Sequence, residues 1–167
     1  MIVHVDTQAL TISWEGQEFT CRCGKSGAIA QDLGREGDAK TPLGDFPLRF
    51  GLWRPDRLPR PRSRLAFHPI TDADLWCDAP GHPAYNRWVT ASFAASHEVL
   101  MRDDMAYDIV LVMGHNDSPP VSGLGSAVFI HLDRPDHRST LGCVAVEPDA
   151  MIRLARDAGP GDVVRIR

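Results

Sequence analysis

The sequence predicts a mainly β fold with one or two helices, and three observations lead there. Short runs alternating apolar and polar residues recur between turn-forming clusters, the pattern of half-buried strands. Two runs, Tyr107–Met113 and Ala127–Leu132, are almost wholly apolar and rich in β-branched or aromatic residues, as central strands are. The clearest helical segment follows Glu147, near the C-terminal end.

Taken in order, Ile2-Val3-His4-Val5-Asp6 alternates as a strand, and residues 9–14 continue in the same way. Glu15-Gly16-Gln17 reads as a turn, and Glu18 to Cys23 as the return strand of a hairpin. Between Gly24 and Gly44 glycine, aspartate and lysine dominate, and Lys40-Thr41-Pro42-Leu43-Gly44 reads as a turn before a strand over Phe46–Trp53. Residues 54–63 hold three prolines and four arginines, which predicts an extended surface loop or flap. A second Pro/Gly-rich loop spans Asp78 to Tyr85. Residues 92–104 are expected to form a helix beginning near Ser92. The loop Asp133 to Gly142 joins the strand ending in His131 to one that begins with Cys143. Pro148 suits the first turn of a helix, with Glu147 and Asp149 at its positive end, and Gly159-Pro160 stops it. Its apolar side is read as Ile152, Leu154 and Ala155, and Asp162–Ile166 is a terminal strand.

At 167 residues, with no internal repeat or linker, the chain suits one domain over 1–167. A net charge of −4 argues against nucleic-acid binding, which favours a basic surplus. No run reaches the roughly 18–20 apolar residues of a membrane span. The start lacks the basic and apolar regions of a signal peptide, so the chain is either cytosolic or exported by means not visible here. Cys21 and Cys23 form one close pair and no second pair exists, so a metal site is disfavoured.

Two residues carry the chemistry. Cys143 begins a strand directly after Gly142, and His131 ends another. A thiol reacts as its thiolate and needs a neighbour to take the proton, which histidine does near neutral pH. Gly142 permits an unusual backbone, and the amides of Leu141, Gly142 and Cys143 are candidates for an oxyanion hole. His115 and Asp117, in Gly-His-Asn-Asp, end a neighbouring strand and are candidates to face the same cleft. Tyr107, Ser139 and Thr140 complete the candidate substrate contacts, and a backbone carbonyl, Ser139 or Asp117 is expected to hold the His131 ring. Trp76-Cys77-Asp78 is a further candidate lining segment. His68, His82, His97 and His137 read as surface or structural residues.

The stretch Gly114–Val146 resembles the catalytic region of the YkuD family of L,D-transpeptidases. The matching residues are His131, Thr140, Gly142, Cys143 and Val144, and Lys40-Thr41-Pro42-Leu43-Gly44-Asp45-Phe46 is similar to that family's Thr-Pro-x-Gly-x-Phe/Tyr motif. The chain departs from the pattern at Leu141, where the family has a second histidine, at Ala145, where an arginine is common, and in its short spacing of 12 from His131 to Cys143.

The resemblance implies a YkuD-type β-sandwich that works without metal or cofactor. Its implied substrates are peptidoglycan stem peptides, a tetrapeptide donor and an amine acceptor, in the periplasm or cell envelope. A carbapenem-sensitive acyl-enzyme is implied as well. The rival readings are an L,D-carboxypeptidase or other cysteine amidase on muropeptides, and a catalytically inactive wall-binding module.

Overall fold

The computed structural model describes all of residues 1–167. The elements are β1 (Ile2–Asp6), β2 (Thr11–Trp14), β3 (Gln17–Arg22), β4 (Ala28–Ala30), β5 (Thr41–Trp53), β6 (Phe67–Pro69), β7 (Asp74–Cys77), β8 (Trp88–Thr90), β9 (His97–Val99), β10 (Ile109–Met113), β11 (Phe129–Leu132), β12 (Val144–Val146), α1 (Pro148–Asp157) and β13 (Val163–Ile166). The strands run β10-β11-β12-β3-β2-β1-β13-β5, and β5 pairs back onto β10, which closes a barrel. Strands β4 and β6 extend β5, while β8-β7-β9 form a separate sheet against the barrel's outside, so barrel and sandwich coexist.

Alternation along each strand decides what the barrel encloses. Val3 and Val5, Ile12 and Trp14, Phe46 and Leu48, Ile130 and Leu132, and Val164 and Ile166 point into one buried cluster. Met151, Leu154 and Ala155 of α1 join it. Each large aliphatic side chain so enclosed contributes roughly 1.5–3 kcal/mol. The intervening residues of β10 and β11, Val110, Val112 and Phe129, face outward into a second cluster with Leu52, Trp76, Leu100 and Tyr107 beneath the small sheet. β10 is therefore buried along its whole length, which explains its continuous apolar run.

Three expectations are corrected. Residues 92–104 form no helix; Ser92 has φ +77° and His97–Val99 pair with Leu75–Cys77 as strand β9. Backbone pairing to β7 outweighs a weak helical preference. Lys40–Gly44 is not a free turn, because Thr41 opens β5 and Thr41–Leu43 pair with β4. Ile152 lies on the exposed side of α1, whose inner face is built from Ala150, Met151, Leu154 and Ala155.

Candidate active site

Barrel geometry brings Cys143 and His131 to one face. Strands β11 and β12 run parallel with Ile130 opposite Val144 and His131 opposite Ala145. Ile130, Leu132, Val144 and Val146 point into the barrel, so Phe129, His131, Cys143 and Ala145 point out of it. Cys143 and His131 are thus diagonal neighbours on one face of this parallel pair. Both line a cavity of about 410 Å³ on the barrel's outer face.

The loop before Cys143 is fixed at several points. The Thr140 amide donates to the Cys23 carbonyl at 2.9 Å, and the Lys25 amide to the Thr140 carbonyl at 2.9 Å. The Thr140 hydroxyl donates to the Cys143 carbonyl at 2.6 Å and accepts from the Gly142 amide at 3.1 Å. Thr140 therefore shapes the loop before Cys143, although the sequence suggests a substrate contact for it. Gly142 has φ +138°, and a Cβ there would sit 3.0 Å from the Lys40 carbonyl. At Gly24 a Cβ would meet the Ala39 carbonyl at 2.5 Å, while the Gly24 amide donates to the Thr41 hydroxyl at 2.8 Å. The Lys40-Thr41 segment thus packs directly beneath the loop that leads to Cys143.

The oxyanion expectation is corrected in part. With the Gly142 amide engaged by Thr140, only the Leu141 and Cys143 amides carry no hydrogen bond within the chain. Gly142 itself, at φ +138°, sets the backbone path of the loop.

His131 is oriented by the Leu132 carbonyl, 2.8 Å from Nδ1. A carbonyl only accepts, so Nδ1 carries the proton and Nε2 is left with its lone pair free. Of the three expected holders of this ring, the backbone carbonyl is the one found. The ring lies edge-on to Tyr107 at 5.5 Å. Burial lowers the pKa of His131 to about 4, opposed by its Leu132 bond.

The Cys143 thiol donates to the Ala127 carbonyl at 3.2 Å and accepts from the Phe129 amide at 3.4 Å. Neither bond reaches His131. As a whole residue Cys143 is partly exposed, but its thiol is enclosed by protein, and burial pushes its pKa to about 12. The resting pair is therefore a neutral thiol and a neutral imidazole. Ala127, whose carbonyl holds the thiol, has φ +52°. Backbone strain of this kind collects at functional sites.

The remaining candidates divide. Tyr107, His115 and Ser139 line the cavity with Cys143. Tyr107 is buried, with its hydroxyl 3.2 Å from Glu98 and Arg102 stacked 5.2 Å from its ring, so it serves as a wall for His131. Asp117 is corrected: it pairs with Arg49 at 2.7 Å and lines a different depression with Trp88. Of Trp76-Cys77-Asp78 only Asp78 reaches the cavity, and His137 does so from the loop.

No residue from 54 to 63 lines the cavity, so that loop is not its flap. Arg54 and Arg57 instead donate to the carbonyls of Arg102, Asp103 and Asp104, bracing the segment that leads to Tyr107.

Sequence reasoning missed Glu36, Glu98, Arg102 and Arg134, which also line the cavity. Arg102 and Arg134 meet on Asp104, each at 2.7 Å. Arg102 also pairs with Glu98 at 3.0 Å, and both arginines line the same cavity as the uncharged Ala145. Their loops carry no local motif that would have singled them out.

No curated protein matches the chain. A solved structure, that of Bdellovibrio bacteriovorus Bd1075, matches 99% of it with a TM-score of 0.50 and 16% identity, a likeness of fold. The chain spans about half of that protein, 47% of its length. The family model for YkuD, the L,D-transpeptidase catalytic domain, matches residues 1–166. Together with the cysteine and histidine on paired strands, that match over the whole chain means the protein belongs to the YkuD family of L,D-transpeptidase catalytic domains.

Proposed function

We propose that this chain is a cysteine acyltransferase of the bacterial cell wall, an L,D-transpeptidase acting on peptidoglycan stem peptides. The observation that carries this reading is a thiol and an imidazole on one strand face, opening into one cavity, with the imidazole Nε2 left free as a base.

In this mechanism the donor tetrapeptide enters the cavity and the Cys143 thiol turns away from the Ala127 carbonyl toward His131. The proton passes to Nε2 as the sulfur attacks the carbonyl of the donor's L,D bond. Because both partners rest neutral, transfer and attack are coupled, and no standing thiolate waits for substrate. The free Cys143 amide, with that of Leu141, receives the developing oxyanion. The C–N bond then breaks, His131 returns the proton to the departing D-alanine amine, and a thioester remains on Cys143. An amine of a neighbouring stem attacks the thioester, the C–S bond breaks and the thiol is restored. Arg134, with one guanidinium nitrogen on Asp104, keeps further donors for a substrate carboxylate, the contact that Ala145 cannot make.

Incubation of the folded protein with disaccharide-tetrapeptide muropeptides tests the reading. Crosslinked dimers and free D-alanine are the expected products. Tripeptides alone would mean that water resolves the thioester and the enzyme is a carboxypeptidase. Absence of any product would refute the acyl-transfer reading.

A further inference from the structure

Asn86 lies between β7 and β8, 4% exposed and at φ +55°, a left-handed conformation that asparagine tolerates better than most residues. Its side-chain amide uses its full bonding capacity inside the protein. Oδ1 accepts from Trp76 Nε1 at 2.9 Å and from the Ala127 amide at 3.1 Å. Nδ2 donates to the His115 carbonyl at 2.9 Å and to the Asn116 carbonyl at 2.8 Å. One side chain thus ties β7 to both ends of the connection between β10 and β11.

The Cys143 thiol rests between two backbone groups, and both lead back to Asn86. Its acceptor, at 3.2 Å, is the carbonyl of Ala127, the residue whose amide Asn86 holds. Its donor, at 3.4 Å, is the amide of Phe129, whose ring lies edge-on to Trp76 at 5.0 Å. Ala127 has φ +52°, which an alanine adopts only when its surroundings impose it. The bond from its amide to Asn86 supplies that constraint and fixes where its carbonyl points. An S–H that donates to a carbonyl is favoured in its neutral form.

We propose that Asn86 is a positioning residue: it pins Ala127 so that the Ala127 carbonyl keeps the Cys143 thiol protonated and turned from His131 until substrate enters. Asn86 does not line the cavity that holds Cys143, so it acts through Ala127 and Trp76 and not on the substrate. The inference rests on the acyl-transfer reading only for the role of Cys143 as nucleophile.

The test is the rate of iodoacetamide alkylation at Cys143 in the full-length protein, read by peptide mass mapping at neutral and mildly alkaline pH. Asn86→Gly suits the left-handed backbone and deletes the amide. It is expected to alkylate about fivefold faster at Cys143, the weight of one hydrogen bond. Asn86→Asp restores an acceptor for the Ala127 amide and should alkylate no faster than the unmutated protein. Cys21, Cys23 and Cys77 are free and buried, so they should stay unlabelled in both variants. An unchanged Cys143 rate in Asn86→Gly, or an equal rise in Asn86→Asp, would overturn the proposal. Labelling of all four cysteines at equal rates in Asn86→Gly would give Asn86 a purely structural role and overturn it too. A second measurement needs no variant: the Ala127 amide of the unmutated protein should exchange its hydrogen slowly, because Asn86 holds it. Exchange at the rate of a free amide would contradict the proposal. Carbapenem acylation of the unmutated protein reports separately. An adduct with unchanged alkylation in Asn86→Gly removes only the role of Asn86, and faster alkylation without an adduct removes only the acyl-transfer reading.

Discussion

The two faces of β11 hold opposite kinds of residue. Inward, Ile130 and Leu132 are buried among aliphatic and aromatic neighbours and ask nothing of their surroundings beyond packing. Outward, His131 lies buried with a depressed pKa, next to the Cys143 thiol, whose pKa burial has raised. The same cavity contains the only two unpartnered buried polar side-chain atoms. A closed barrel supplies the stability, and its outer face tolerates groups that the interior would reject. Substitutions should therefore separate activity from stability according to the face they touch.

The largest effect is expected at His131. His131→Gln keeps a polar side chain but removes the base, and kcat/KM should fall by about 10²–10⁴. Ile130, one residue away on the other face, should behave in the reverse manner. Ile130→Ala is expected to cost about 2–5 kcal/mol in urea unfolding, with kcat/KM per folded molecule near the original.

Acid should expose the strain of the outer face. An unfolded His131 takes up its proton near pH 6.5, whereas the folded one resists until about 4. The unfolded chain binds more protons in that window, so stability is fully present above it and is lost as pH falls through it. The loss should reach about 3 kcal/mol by pH 4. Melting curves across pH 4–7 test this, and the His131→Gln slope should be shallower. Smallest is Thr140→Val, which deletes the hydroxyl linking Gly142 to the Cys143 carbonyl; kcat/KM should drop about tenfold.

Local pattern made the barrel's strands legible, though not their closure through β5 and β10. Alternation revealed β1, β2 and β3, continuous apolar runs revealed β10 and β11, and Pro148 with Gly159 bounded α1. The small sheet was not legible, since β7, β8 and β9 are three or four residues each and exist through pairing with one another. In the candidate site, Cys143 and His131 stand out in the sequence because strand ends and a local motif mark them, and the fold brings both to one cavity. Asp117 misled because its partner, Arg49, is 68 residues away. Gly142 misled because its amide is captured by a hydroxyl that spacing alone does not orient. The arginines and acidic residues around the cavity arrive from separate loops, and only folding brings them together.

The central claim is that Cys143 is the nucleophile, activated by His131 in the act of attack. Intact-protein mass spectrometry after incubation with a carbapenem tests it most directly. One covalent adduct is predicted, present in the unmutated protein and lost in a folded Cys143→Ala variant, although Cys21, Cys23 and Cys77 remain. No adduct on the folded protein, or an adduct that survives Cys143→Ala, would contradict the account.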